Sequence, residues 1–435
     1  MPEMLVTVVG AGLAGCEAAW QLLRQGVPVR LVDMKPAKRS PAHESGLFAE
    51  LVCSNSLRSD RLQNAVGLLK EEMRLLDSLV IWAADQTKVP AGGALAVDRQ
   101  AFSQLITDRL TSHPLLEMVC EEVKSIPDGQ TVIATGPLTS DDLADALARF
   151  AGQDTLHFYD AAAPIVTRES IDMSKAFTAS RYGRGDDYIN CPMDQDEYQA
   201  FYLALLQAET APVRGFEESR VFEGCMPIES LARRGELAIA YGPLKPVGLR
   251  DPRTGKRPYA VLQLRRDDAS DTLYNLVGFQ TRLKFPEQKR VFSMIPGLEH
   301  AEFARYGVMH RNTFFNGPQI LDGFFQARDR EGLYLAGQIT GVEGYVESAA
   351  SGLMAGLHLA RKLKGSAEYT FSTETALGAL SRYVSTPNRD YQPMHITFGL
   401  IDPPDVRVRG KDERNLQIAQ RALQHIKAFA AAGSA

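Results

Sequence analysis

Five cysteines are spread through the 435-residue chain, and two of them stand in settings suited to thiol chemistry. Cys53 lies in Val52-Cys53-Ser54-Asn55-Ser56-Leu57-Arg58, a small polar segment between more apolar stretches. Cys225 lies between Gly224 and Met226-Pro227, close in sequence to a run of arginines and lysines. A thiol with an ordinary pKa of about 8.5 is mostly protonated at neutral pH. A reactive one therefore needs a nearby cation or a helix N-terminus. Cys16, Cys120 and Cys191 read as small buried hydrophobes. The odd number, the wide spacing and the lack of a Cys-x-x-Cys pair argue against a disulfide framework or a zinc site, and for a reducing, cytoplasmic setting. The eight histidines do not cluster at ligand spacing either, so no metal is expected.

A second stretch is built for a diphosphate. Gly10-Ala11-Gly12-Leu13-Ala14-Gly15 follows an apolar strand pattern at residues 5–9 and opens a helical stretch that stops at Gly26. In the strand–turn–helix unit that binds dinucleotides, Gly10 permits the tight turn and Gly12 lets the backbone approach a pyrophosphate. Gly15 lets helix and strand pack closely, and the helix N-terminus offers free N–H groups to the phosphates. A second apolar run, residues 27–32, ends in Asp33, placed to accept hydrogen bonds from an adenosine ribose. Met34-Lys35-Pro36-Ala37-Lys38-Arg39 follows as a basic turn suited to diphosphate or adenosine contacts. The apolar start is not a secretory leader, because no basic region precedes it and Glu17 and Arg24 interrupt the helix.

These residues need elements to hold them, and the chain is long enough for two or three domains with a large core. The composition, 45% apolar and 23% charged with net charge −5, is that of an ordinary globular protein. No apolar run approaches the roughly 20 residues of a membrane span. Residues 68–79 predict one amphipathic helix with Leu69, Met73 and Leu76 on a stripe, and residues 99–110 another. Residues 131–137 predict a buried strand ending at Gly136. From about residue 165 the texture changes to short strand-like pieces at 221–223, 237–241, 259–264 and 273–277, separated by Pro/Gly turns as in an antiparallel sheet. Between residues 212 and 330 there are 19 Lys/Arg against 14 Asp/Glu, which leaves the remainder of the chain strongly acidic. Arg233, Arg234, Lys245, Arg250, Lys256, Arg257, Arg265, Arg282 and Lys284 carry much of this excess. A basic region on an acidic background fits an anionic partner met through phosphate contacts.

A second glycine-rich strand–loop–helix lies near residues 332–363. Its apolar strand ends in Gly337 and is followed by Gln338-Ile339-Thr340-Gly341-Val342-Glu343-Gly344-Tyr345. The helix from Val346 is full of small residues in its first half (Ser348, Ala349, Ala350, Ser351, Gly352, Ala355, Gly356), so another element can press close against it. One glycine loop at the start and one near the end are the two halves of an FAD site, the second touching the ribityl and isoalloxazine portion. The candidate contacts there are Gly337, Gln338, Gly344, Tyr345, Val346 and Ser348. No second Gly-x-Gly-x-x-Gly occurs, so a tightly held NAD(P) with its own unit is not expected. The fold class is thus α/β, a Rossmann-type FAD-binding domain of the two-dinucleotide-binding flavoprotein kind. It is discontinuous over residues 1–165 and 320–435, with an inserted α+β domain at 166–319. A terminal helix from about residue 412 carries an apolar stripe for packing.

Taken together, residues 8–15, 50–56, 90–98, 224–229, 241–259, 275–282, 306–312, 337–352 and 392–400 resemble one family. It is that of the folate- and FAD-dependent tRNA uracil-C5 methyltransferases (TrmFO), relatives of the GidA-type tRNA-modifying flavoproteins. The family pattern usually has Asn where His395 stands. The resemblance implies that 5,10-methylenetetrahydrofolate donates a carbon to C5 of the T-loop uridine (uridine 54) of tRNA, while FAD reduced by NAD(P)H supplies the electrons. It also implies that Cys53 and Cys225 are the catalytic thiols, one adding to uracil C6 and the other serving as base or flavin-side partner. Glu343 and Tyr345 are then candidates to hold the folate, and the inserted domain to hold the tRNA T-arm. Other readings are a NAD(P)H-dependent flavin oxidoreductase or monooxygenase on a small molecule, a GidA-like wobble-uridine enzyme, and a non-catalytic FAD-containing RNA-binding protein.

Overall fold

The computed structural model describes residues 5–40, 42–152, 156–211, 226–388, 391–404 and 408–433. Its first strand, β1 (Val6–Val9), lies in the middle of a five-stranded parallel sheet. Val6 and Val8 are fully buried, as parallel strands with crossovers on their faces require. Helix α1 (Leu13–Arg24) and β2 (Val29–Asp33) complete the first crossover, with Val8 opposite Leu31.

After β3 (Ser56–Ser59) come helices α2 (Ala65–Leu75) and α3 (Leu79–Gln86). The stripe at 68–79 is therefore not one helix but the end of one and the start of another. Asp77 is left-handed (φ 54°), and Ser78 caps the new helix by accepting from the Ile81 N–H (3.2 Å). The buried Glu17 carboxylate also accepts from the Val80 N–H (3.0 Å), so the N-terminus of α3 is satisfied from across the fold. Strands β4 (Lys88–Val89) and β5 (Ala94–Val97) join β3 in a small antiparallel sheet. Helix α4 (Arg99–Thr111), capped by Asp98, leads to β6 (Leu116–Cys120) and β7 (Thr131–Ile133). β6 is an edge strand, and Cys120 at its end is exposed, contrary to the expectation of a buried hydrophobe.

Helix α5 (Asp141–Ala151) and β8 (Leu156–Ala161) carry the chain to a second body. This is a six-stranded antiparallel sheet of β9 (Ile165–Thr167), β10 (Phe177–Thr178), β11 (Tyr188–Met193), β12 (Ala260–Arg266), β13 (Leu273–Leu276) and β14 (Phe303–Arg305), ordered β10-β11-β12-β13-β9-β14. Helices α6 (Gln195–Gln207), α7 (Ile228–Ala232), α8 (Ala238–Tyr241) and α9 (Phe285–Phe292) contribute to its separate apolar core. The expected strand at 237–241 is α8 instead. Leu237 and Tyr241 are exposed while Ile239 and Ala240 are buried, and five residues are too few to separate a period of 2 from one of 3.6. The expected strand at 221–223 lies outside the described residues.

The chain returns through β15 (Met309–Phe314), paired antiparallel with β8. Then come α10 (Gly317–Ile320), β16 (Leu333–Leu335), α11 (Tyr345–Leu363), α12 (Ala376–Ser385) and α13 (Lys411–Gly433). The parallel sheet is ordered β16-β7-β1-β2-β6. The small residues of α11 answer to α1: a Cβ on Gly352 would lie 2.0 Å from the Ala14 carbonyl oxygen, and one on Gly356 2.5 Å from that of Ala18. No helix among the described residues is long and apolar enough to cross a membrane.

The seam between the two bodies is polar. Arg99 on α4 pairs with Asp267 (2.9 Å), and Arg265 on β12 donates to Asn55 (3.0 Å) and Ser54 (2.7 Å). The Tyr188 hydroxyl donates to the Ala91 carbonyl (3.1 Å), and the Gly92 N–H to Asp187 (2.6 Å). Such bonds hold only while every partner is present, which gives the seam one geometry.

Candidate active site

At the first glycine loop the three glycines have three different reasons to be glycine. Gly10 has φ +101°, and a Cβ there would lie 2.7 Å from the Ala134 carbonyl oxygen. At Gly15 a Cβ would lie 1.8 Å from the Gly10 carbonyl oxygen, so the helix could not sit against the turn. Gly12 has φ −78°, open to any residue, and a Cβ there would meet no other protein atom within 4 Å. It borders a cleft lined by Gly10, Val32, Asp33, Met34 and Thr135. Gly12 is also the N-cap of α1 and provides no side-chain cap, so the helix end is left to an anion.

Asp33 uses one carboxylate oxygen to hold the Ala11 N–H (2.6 Å) and the other to hold the Lys35 N–H (2.8 Å). Lys35 is not a free cation over the cleft: its side chain is buried and its ammonium donates to the Leu47 carbonyl (2.5 Å). Sequence reasoning missed His43 on the cleft wall, whose imidazole burial pushes down to about 4, with Lys35 adding to the effect. Gly136 (φ +67°) opens the turn after β7.

Gly337 (φ +85°) brings the second glycine loop against Ala14, and its N–H donates to the Ser351 hydroxyl (2.7 Å). The Gln338 amide donates to the Glu343 carboxylate (2.5 Å). Glu343 does not cap α11. The N-cap is Gly344, without a side-chain cap, and the first-turn acid is Glu347, fully buried and paired with Arg58. Val346 and Ser348 are buried in the first turn of the helix. His395 Nδ1 donates to the Glu343 carbonyl (2.8 Å). An Asn side-chain N–H could donate to the same carbonyl.

Tyr345 reaches from the start of α11 to the Cys53 segment. Its hydroxyl oxygen accepts from the Cys53 N–H (2.8 Å) and the Ser54 N–H (3.3 Å), and burial pushes its phenol up. Arg99 donates to the Leu51 carbonyl (2.6 Å) and the Cys53 carbonyl (3.4 Å). The Cys53 thiol, half-buried, faces the Ala161 carbonyl oxygen (3.6 Å). Both main-chain groups of Cys53 are thus held by partners that do not involve its sulfur. Asn55 belongs to the polar Cys53 segment, but nothing in the sequence signals that it meets Arg265, or that Arg99 meets Asp267.

Cys225 lies outside the described residues, but Ile228 and Glu229 after it are tied down. The Ile228 N–H donates to the Gln280 carbonyl (2.7 Å). The buried Glu229 carboxylate accepts from the Thr281 hydroxyl (2.9 Å) and the Arg282 N–H (2.9 Å), and its burial pushes its carboxyl up. The Thr281 N–H in turn donates to the carbonyl of Ala162, next to the Ala161 that faces Cys53. The segment after Cys225 is therefore anchored beside the segment that faces Cys53.

Of the basic residues, Arg233, Arg234, Lys245, Arg250, Lys256 and Arg257 are exposed. Lys284 is exposed and pairs with Glu209 (2.6 Å). Arg282 is half-buried beside Glu229 (4.0 Å). Arg265 is a correction: it is buried and committed to Ser54 and Asn55, so its charge faces inward rather than toward an external partner. Among the described residues no group of three His, Cys, Asp or Glu is arranged to hold a metal ion.

The comparisons agree with one another. The family model described as glucose inhibited division protein A matches residues 5–367. A methylenetetrahydrofolate--tRNA-(uracil-5-)-methyltransferase TrmFO of Acetivibrio thermocellus is 58% identical over 427 residues, covering 98% of each chain. One of Desulfitobacterium hafniense is 59% identical over 430 residues, again covering 98% of each. Among solved structures, Aquifex aeolicus GidA superposes with a TM-score of 0.72 at 16% identity, covering 98% of this chain and 73% of that one.

Proposed function

The chain belongs to the TrmFO family of methylenetetrahydrofolate--tRNA-(uracil-5-)-methyltransferases, within the wider glucose inhibited division protein A family, and from that premise we propose how its residues divide the work. It transfers a one-carbon unit from 5,10-methylenetetrahydrofolate to C5 of uracil in tRNA, with the T-loop uridine as target. Identity of 58% over 98% of the chain is the observation that carries this reading. The working setting is the cytoplasm, with NAD(P)H as the source of electrons.

The residues present fit FAD. Gly12 borders open space at an uncapped helix N-terminus, as a pyrophosphate requires, and Asp33 keeps lone pairs for a ribose after holding Ala11 and Lys35. Gly337, Gln338, Gly344 and the α11 N-terminus would hold the isoalloxazine end, with Glu343 and Tyr345 against the folate. When bound and reduced, FAD supplies the hydride that turns an exocyclic methylene into a methyl group.

Uracil C5 is a weak nucleophile. A thiolate that forms a C–S bond at C6 makes an enolate whose C5 attacks the methylene carbon. A base then removes the C5 proton as the methylene–nitrogen bond breaks and tetrahydrofolate leaves, and hydride addition to the resulting exocyclic methylene breaks the C6–S bond and frees the thiolate. Cys53 and Cys225 fill these two roles. What supports the pairing is the run of hydrogen bonds from the Cys53 thiol through Ala161-Ala162 and Thr281 to Glu229. Incubating the purified protein with unmodified tRNA, methylenetetrahydrofolate and NAD(P)H should yield 5-methyluridine in the nucleoside digest. No 5-methyluridine with active folate and bound flavin, or product confined to the wobble position, would sink the reading.

Arg265 has a distinct expected signature. Arg265→Met removes a donor from both Ser54 and Asn55, at about 1–3 kcal/mol for the buried Asn55 oxygen left without a partner, and loosens the Cys53 loop. Turnover should fall while tRNA affinity and its salt dependence stay as in the wild type. A weaker, less salt-sensitive complex at unchanged turnover would instead make Arg265 an RNA contact.

A further inference from the structure

A cleft of ≈ 380 Å³ opens at the seam, away from the glycine loops. Arg61 reaches it from the turn after β3, Arg181 and Arg184 from the turn after β10, and Gly92-Gly93 from the turn between β4 and β5. Gly93 makes room for the first of these: a Cβ there would lie 2.8 Å from Arg61 Nε. None of the three guanidiniums has a carboxylate partner among the described residues. Arg181 donates to Gln263 (2.7 Å) and to the carbonyls of Lys245 (2.8 Å) and Val247 (2.7 Å), and Arg184 lies over the Tyr182 ring (5.3 Å). Asp187, beside the cleft, accepts the Gly92 N–H and has no ion pair with any of the three. Several other arginines of this acidic chain do have a carboxylate partner, as in Arg24–Asp77, Arg30–Glu117, Arg253–Asp251 and Arg290–Glu287, so three without one around a single cleft concentrate positive charge there. Three like charges around one cleft repel one another unless an anion sits between them.

The cleft is also in the right place. Gln263 on its wall and Arg265, which holds Ser54 beside Cys53, are two residues apart on β12 and so share one face, about 7 Å apart. On the other side Arg181 grips the carbonyls of Lys245 and Val247, at the start of the exposed basic stretch. Tyr182 stands between, 63% exposed and held left-handed (φ +62°), with its N–H on the Gly248 carbonyl (2.8 Å). A strained, exposed aromatic beside arginines that have no carboxylate partner suits an unstacked nucleotide.

We propose that this cleft binds the RNA phosphates that flank the target uridine, so that the strand enters over the basic stretch and leaves its base at Cys53. The proposal rests on the tRNA-methylating reading above. Guanidinium forks suit phosphate oxygens, and each lost contact lowers the salt slope by about 1.

The test uses FAD-loaded enzyme and a T-arm stem–loop carrying either normal linkages or neutral methylphosphonates on both sides of the target uridine. Arg61→Gln/Arg184→Gln should weaken binding of the normal stem–loop about tenfold or more and lower its salt slope by about 2. Arg181 is spared because it holds the 245–247 turn. The methylphosphonates should weaken binding to the wild type but not further to the variant. Wild-type affinity and slope in the variant would overturn the assignment, as would equal methylphosphonate losses in both proteins. A rise only in the KM for methylenetetrahydrofolate would give the cleft to the folate carboxylates instead. If the wild type forms 5-methyluridine while the variant binds as it does, the cleft alone is wrong. If the wild type forms none, the functional reading falls.

Discussion

Cys53→Ala is expected to keep its FAD and bind tRNA like the wild type, yet lose methylation by about 10³-fold or more. The loop supplies the reason. Cys53 is held by its main chain, with its N–H on the Tyr345 hydroxyl and its carbonyl under Arg99. Removing the sulfur therefore subtracts chemistry and leaves the loop standing. Cys225→Ala should show the same loss, because the bonds made by Ile228 and Glu229 to the 280–282 segment do not involve its side chain. RNA carrying 5-fluorouridine in place of the target should be trapped through one thiol only, since fluorine at C5 blocks the proton removal that frees the enzyme. The trapped peptide identifies which cysteine attacks C6. If both alanine variants methylate at close to the wild-type rate, the two-thiol assignment is wrong.

The second large effect separates two glycines that look alike in sequence. Gly12→Val should fold with the thermal stability of flavin-free wild type and purify colourless. Its backbone tolerates any residue and its new side chain meets only the cleft. Gly15→Val should instead fail to fold normally. Its Cβ would lie 1.8 Å from the Gly10 carbonyl oxygen and force α1 off the sheet, and displacing packed backbone costs more than about 4 kcal/mol. Flavin absorbance and thermal unfolding of the flavin-free proteins read the contrast. A yellow Gly12→Val protein would mean that the pyrophosphate does not pass over this loop.

The α/β flavoprotein fold and the family were legible in the sequence because their signals are local. A glycine loop between strand and helix, a terminal acid and a small-residue helix each report on neighbours a few residues away. Even there, the helix at 68–79 hid a boundary: Asp77 turns left-handed and Ser78 starts again, assisted by Glu17 from another element. The five residues at 237–241 were too short for their period to be read. What governs the Cys53 loop was not legible at all. Ser54 and Asn55 meet Arg265 across more than 200 residues, and Arg99 meets Asp267 across 168. From sequence, Arg265 is one more charge in a basic run. Only when the antiparallel sheet is laid against the parallel one does its guanidinium fall inside the seam, where it must find partners or pay the cost of burial. Local chemistry thus determined which residues could hold a nucleotide or act as thiols, and tertiary packing decided which charges face inward to hold the loop and which remain outside to meet a partner.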